Sequence, residues 1–131
     1  MKLENIKLKA KRLDNNTWVE GYFYAECGNT YIIEDKQSES MLNRNDAHQV
    51  DPLTVCQFTG LKDCKGREVW EGDILQDVDD DNIKYVVTFN EGTFLARKEG
   101  LYIGIPLHEC VGSLGNDVIT YAKVVGNKFD I

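Results

Sequence analysis

The feature that most constrains this chain is how its apolar residues are spaced: short runs of branched and aromatic side chains, each broken by Gly, Asn or Asp before a helix of three turns could form. The first run sets the pattern. Ile6, Leu8 and Ala10 alternate with Lys7, Lys9 and Lys11, the period of two that places one set on each face of a half-buried strand. The lysine face of that strand is expected to be solvated or to meet acid. Asp14-Asn15-Asn16 then supplies residues suited to a tight turn, and Thr17 to Ala25 resumes as a second strand, so residues 6–25 read as a β-hairpin. Gly21 sits among Trp18, Val19, Tyr22, Phe23 and Tyr24. Glycine weakens a plain strand, so its presence there predicts a bulge or a close backbone approach. Gly28-Asn29 marks another turn before a third strand over Thr30 to Ile33.

Residues 34–49, EDKQSESMLNRNDAHQ, lose this pattern and read as a polar excursion, with Met41 and Leu42 as an anchor and His48 as a surface residue rather than a ligand. After Asp51-Pro52 the pattern returns as a strand of mixed polarity, Leu53, Val55 and Gln57 alternating with Thr54, Cys56 and Phe58. Two turns follow closely. Asp63-Cys64-Lys65-Gly66 has Asp at the first turn position and Gly at the last, and Glu71-Gly72-Asp73 punctuates before Ile74-Leu75. On the residues alone these are glycines for unusual backbone angles and aspartates that cap backbone donors. IKYVVTFN and the segment Thr93 to Lys98 form a hairpin about Asn90-Glu91-Gly92. Leu101 to Ile105 is a strand that Pro106 should end or confine to a sheet edge. Val118 to Val125 is the last strand, and Gly126-Asn127 begins the tail.

The chain thus predicts a mainly β single domain over residues 1–131: a small barrel or pseudo-barrel of about eight short antiparallel strands, SH3-like in part, with little helix. A chain of 131 residues has room for a real core. No segment has the length of apolar sequence a spanning helix needs, and MKLENIKLKAKRL lacks the apolar run of a secretory signal, so a cytoplasmic protein is expected.

Residues Gln57 to Leu75, QFTGLKDCKGREVWEGDIL, resemble the signature of the YopX family of small phage and prophage proteins, Q-[YF]-T-G-L-K-D-x-x-G-[KR]-E-[IV]-[YW]-E-G-D-[IV]. The match runs through Gln57, Phe58, Thr59, Gly60, Leu61, Lys62, Asp63, Gly66, Arg67, Glu68, Val69, Trp70, Glu71, Gly72, Asp73 and Ile74. Val50 to Val55 resembles the family's lead-in, and Val124-Val125-Gly126-Asn127 its closing V-[IV]-G-N. Cys64 departs from the pattern, standing where lysine or another polar residue is usual, which argues against a cysteine-dependent role there. The resemblance implies phage or prophage origin and no settled biochemistry.

Charge and motif chemistry narrow the function classes. The formal net charge is -7, which repels phosphate backbones at long range and disfavours a general nucleic-acid binder. The distribution is uneven, with Lys2, Lys7, Lys9, Lys11 and Arg12 near the start and Asp73, Asp77, Asp79, Asp80 and Asp81 in the middle. Cys27, Cys56, Cys64 and Cys110 lie 29, 8 and 46 residues apart, without zinc-ligand spacing, and read as reduced apolar side chains. Asp77, Asp79 and Asp81 imitate the start of a calcium loop, but Asn82 and Thr88 stand where the loop needs Gly and Glu. His108, Glu109 and Cys110 are neighbours in sequence, which supplies no nucleophile geometry. No catalytic residue, metal or cofactor is therefore expected.

Three functions rank in order. First is a non-catalytic interaction or assembly module that binds itself, as a homo-oligomer, or a host or phage protein. Second is a nucleic-acid-binding small barrel that uses Lys2, Lys7, Lys9, Lys11, Arg12 and the N-terminal aromatics. Last is an enzyme built on Asp63, Glu68, Glu71 and Asp73. Should the signature itself bind, Lys62, Asp63, Glu68, Glu71 and Asp73 are its candidates, expected to be exposed.

Overall fold

The computed structural model describes residues 3–34, 47–98, 104–107, 110–111, 116–117 and 122–130. Those residues form thirteen strands and three 3-10 turns. The mainly β expectation holds, while the strand number exceeds the expected eight because several strands are only two or three residues long, too short to show a period. In hydrogen-bonded order the strands run β4-β3-β2-β1-β5-β6 and β10-β9-β8-β7-β13, with β11-β12 as a separate pair. Among the described residues neither order closes into a barrel. Contacts divide the chain into two compact units, Met1–Phe58 and Thr59–Ile131, and the boundary falls inside one strand.

The first unit contains β1 (Leu8–Lys11), β2 (Trp18–Glu26), β3 (Asn29–Glu34), β4 (Ala47–Gln49) and the start of β5 (Cys56–Lys62). The β1-β2 hairpin pairs Leu8 with Gly21 and Lys11 with Trp18. Its turn is closed by the Arg12 N–H donating to the Thr17 carbonyl at 2.9 Å, with Asn16 at φ 57. Cys27 and Gly28 both have positive φ and join Glu26 to Asn29, the two-residue turn whose twist matches flanking strands. The turn therefore lies one residue earlier than Gly28-Asn29. Gly21 is a close backbone approach and no bulge: its pairings to β1 and β3 are regular, and an added Cβ would lie 1.9 Å from the Ile33 carbonyl oxygen. Ala10, Val19, Ile32 and Val50 form this unit's core, with Leu8 and Val55 against it.

Two expectations change here. The excursion 34–49 is flanked by strand, since Glu34 ends β3 and Ala47–Gln49 is β4, paired to β3 through Ile32 and His48. Residues 35–46, with Met41 and Leu42, lie outside the described residues. Leu53 to Val55 is not strand. Pro52–Thr54 is a 3-10 turn, with Pro52 at its start and the Asp51 carboxylate accepting the Leu53 N–H at 3.0 Å. A first-turn proline has no N–H to lose, and an Asp cap fills the vacancy.

The second unit contains the rest of β5, then β6 (Glu68–Trp70), β7 (Asp73–Asp77), β8 (Lys84–Asn90), β9 (Thr93–Lys98), β10 (Gly104–Pro106), β11 (Cys110–Val111), β12 (Asn116–Asp117) and β13 (Ala122–Asn127). The predicted hairpin is β8-β9, pairing Val87 with Ala96 across a turn at Glu91-Gly92, both of positive φ. Pro106 ends β10 at a sheet edge, as its missing N–H requires. Gly126 and Asn127 belong to β13 rather than to a tail, pairing with Ile74 and Asp73 beyond an irregularity between Val124 and Gly126. Val69, Leu75, Val87, Ala96, Leu107 and Ala122 make the core, with Leu61, Tyr85, Phe94 and Val124 packed on it. No described helix is long and apolar enough to cross a membrane.

Candidate functional site at the signature corner

In the second unit the signature folds as a corner, where the chain leaves β6 and turns through Glu71 and Gly72 into β7 of the other strand order. Two aspartates hold it. Asp63 is 6% exposed, and its Oδ1 accepts the backbone N–H groups of Lys65 and Arg67, each at 2.8 Å, while its Oδ2 accepts that of Val124 at 2.8 Å. The turn it opens is closed by the Gly66 N–H donating to the Asp63 carbonyl at 3.0 Å. Asp73 is 2% exposed; its Oδ2 accepts the Trp70 N–H at 2.8 Å and its Oδ1 accepts the Asn127 amide at 3.0 Å. A buried carboxylate is tolerated when backbone donors replace the water it lost.

Both aspartates reach the last strand, so the two separated stretches of the resemblance meet. Val124 is fastened by Asp63 and Asn127 by Asp73. The Arg67 guanidinium adds a bond to the Val124 carbonyl at 2.9 Å, and Cys64 donates its N–H to the Ala122 carbonyl at 3.2 Å. Gly72, at φ 86, donates to Val87 and accepts from Lys128. A Cβ on Gly72 would meet the Asn127 side chain at 3.2 Å, so glycine is needed for both backbone angle and space. Thr59 reinforces the β5-β6 pair, its hydroxyl donating to the Val69 carbonyl at 2.7 Å.

The five candidates of the signature therefore differ. Lys62 is exposed, and Glu68 and Glu71 are half-buried. Asp63 and Asp73 are buried, which corrects their expected exposure; the reason is that each turns its carboxylate inward to accept from the turn it opens or closes and from β13. Their oxygens are occupied by the fold, leaving a poor basis for proton transfer. Arg67 and Asn127 were missed as corner residues, although both fall inside the motifs that carry the resemblance.

The acidic loop is built on local bonds. Asp77 Oδ1 accepts the N–H groups of Asp79 at 2.8 Å and Asp80 at 3.2 Å, Asp80 caps Asn82 at 2.9 Å, and Asp81 accepts the Gln76 amide at 2.9 Å. These are turn-forming contacts of aspartate with nearby backbone and a neighbouring side chain. His48 is half-buried in the first unit, with Nε2 3.0 Å from a Glu34 carboxylate oxygen. Beside it lies a hollow of about 260 Å³ lined by Arg12, Leu13, Asp14, Ala47, His48 and Gln49. Lys2, His108 and Glu109 lie outside the described residues, and nothing is described of the Cys110 side chain.

The basic N-terminal segment presents a different chemistry. Lys9 lies opposite Glu20 and Lys11 opposite Trp18, and directly opposed residues share a sheet face. Continuing along β2 and β3, the same face carries Tyr22, opposite Ile33, and Tyr24, opposite Tyr31. The ammonium groups of Lys9 and Lys11 lie 4.7 and 5.3 Å from the Trp18 ring centroid, and that of Lys7 lies 4.8 Å from the Phe58 ring. Tyr24 and Tyr31 stack with centroids 4.9 Å apart and planes 13° from parallel. The lysine row meets both rings and acid, Lys7 standing 3.6 Å from the Glu20 carboxylate.

Comparison with known proteins bears on the whole chain. The family model YopX, described as YopX protein, matches residues 3–130. None of the curated proteins matches it.

Proposed function

The chain belongs to the YopX family, and from that premise we propose that it is a phage- or prophage-encoded, non-catalytic interaction or assembly module of the bacterial cytoplasm, associating with itself or with a host or phage protein. The observation that carries this reading is the use of the signature's carboxylates. Asp63 takes three backbone N–H groups and Asp73 one, together with the Asn127 amide. The most distinctive stretch of sequence thereby serves a rigid corner, and other surfaces are left to make contacts. An enzyme using Asp63, Glu68, Glu71 and Asp73 has the least support, since two of its four acids are already engaged. Nucleic-acid contact is the second reading, favoured by the face that joins Lys7, Lys9 and Lys11 to aromatic rings.

Size-exclusion chromatography with light scattering on the full chain tests the leading reading. An oligomer is expected, or a monomer that captures a partner in a pull-down from infected or lysogenic cells. A strict monomer that captures nothing would overturn it.

A further inference from the structure

Directly opposed residues share a sheet face, and the registers of the second unit set Lys123, Gln76 and Lys84 in one row across β13, β7 and β8. Ile74, Val86 and Arg97 make the next row across β7, β8 and β9, and Thr88 and Leu95 follow in a third. By strand alternation this face is opposite the one that carries the core residues Leu75, Val87 and Ala96, and its apolar members Ile74, Val86 and Leu95 are only half-buried. The charges in these rows are all cationic. Lys84 is exposed, Arg97 and Lys123 are half-buried, and none of the three is in an ion pair with another described residue. Arg97 Nε and Thr88 Oγ1, on neighbouring strands of the face, are shielded from water and have no hydrogen-bond partner. Both can donate, and a shielded donor without an acceptor carries a cost that an incoming carboxylate removes.

The acid that suits this face is carried by the same unit. Asp77, Asp79, Asp80 and Asp81 lie where β7 leads to β8, beside the row of Lys84, and Asp81 already reaches that row by accepting the Gln76 amide at 2.9 Å. Asp77 and Asp80 also spend an oxygen on local bonds, whereas Asp79 is exposed and its carboxylate takes part in none of them. A cationic face and an acidic loop on one body are complementary to themselves, so that under a twofold axis each pairing forms twice.

We infer that this sheet face docks a second copy of the chain, the acidic loop of each copy set against Arg97 and the cation row of the other. This rests on the self-association half of the proposed function and names its surface. Four strand spacings of about 4.8 Å by two row spacings of about 6.6 Å give roughly 250 Å², well below the about 800 Å² per partner of a stable interface. The net charge of -7 on each copy also opposes approach, so the dimer is weak and its pairing depends on charge.

Sedimentation velocity on the full chain, from about 10 μM to about 1 mM, reads the balance of monomer and dimer. Arg97→Glu and Asp79→Lys should each raise Kd by about tenfold or more, because each sets like charges together twice. An equimolar mixture of the two variants should recover wild-type affinity, since in the mixed dimer both pairings are again of opposite sign. Circular dichroism establishes that each variant is folded, and Lys84→Glu takes the place of Arg97→Glu if the latter is not. A wild type that stays monomeric throughout overturns the inference, and the module reading falls with it only if no partner is captured either. An oligomer that neither variant weakens overturns the inference and leaves the module reading standing on another surface. Weakening by both variants without recovery in the mixture overturns it too, because loop and face then do not meet each other.

Discussion

Lys9 in the first unit and Asp63 in the second are both charged residues of strand-rich regions, yet they are handled in opposite ways. The lysine sets its ammonium group 4.7 Å from the centroid of the Trp18 ring on a sheet face. The aspartate is buried and directs both oxygens to backbone amides. Lysine can extend a long stem and leave its head in water, whereas a short carboxylate beside unpaired N–H groups is more stable as their acceptor. The contrast teaches that the stretch which identifies a family can be the one that holds the fold.

The comparison breaks first at Asp63. Asp63→Ala strips three backbone donors of their acceptor and should lower unfolding free energy by about 3–4 kcal/mol in urea titration. A loss no greater than that of Lys9→Gln, expected within about 1 kcal/mol, would mean the two charges are equivalent. Gly21→Ala comes next and asks whether the first unit is as tightly specified in its backbone as the second is in its corner. Its Cβ would sit 1.9 Å from the Ile33 carbonyl oxygen, and separating the strands should cost about 3 kcal/mol.

Gly72→Ala, at φ 86 with Asn127 close by, should cost about 2 kcal/mol. Gly28→Ala, at φ 80 with open space around the new Cβ, should cost about 1 kcal/mol and so separates backbone angle from crowding.

The smallest effect belongs to an exposed acid of the first unit. Hydrogen bonding from the Arg12 guanidinium lowers the Asp14 pKa, its charge adding to the effect. A carboxylate whose folded pKa is lowered contributes stability above its ordinary value of about 3.9, and that contribution is lost as pH falls through the lowered folded value. An NMR titration should place its midpoint below that of a free aspartate, and Arg12→Gln should raise it.

Much of the fold was legible because turn chemistry is local. Gly28, Gly66, Gly72 and Gly92 all take the positive φ that glycine admits, and the alternation that set Leu8 and Ala10 on one face placed Ala10 in the core. The three-residue strand β4 was hidden because a segment that short shows no period. Proline misled in one place: Asp51-Pro52 opens a 3-10 turn where the alternation after it suggested strand. For the candidate site, the capping role of the aspartates was readable from their places beside glycine turns, but their burial was not.

What the sequence determined by itself was the mainly β class, the placement of hairpins and the family, since hydrophobic period, turn residues and the signature all act over a few neighbours. Only the tertiary structure decided that Asp63 reaches Val124 and Asp73 reaches Asn127, 61 and 54 residues away. The same holds for the approach of the Lys7 ammonium group to the Phe58 ring of β5. Pairing between distant strands depends on which backbone groups and apolar faces remain unsatisfied once local turns have formed, and that competition has no signature in any single segment.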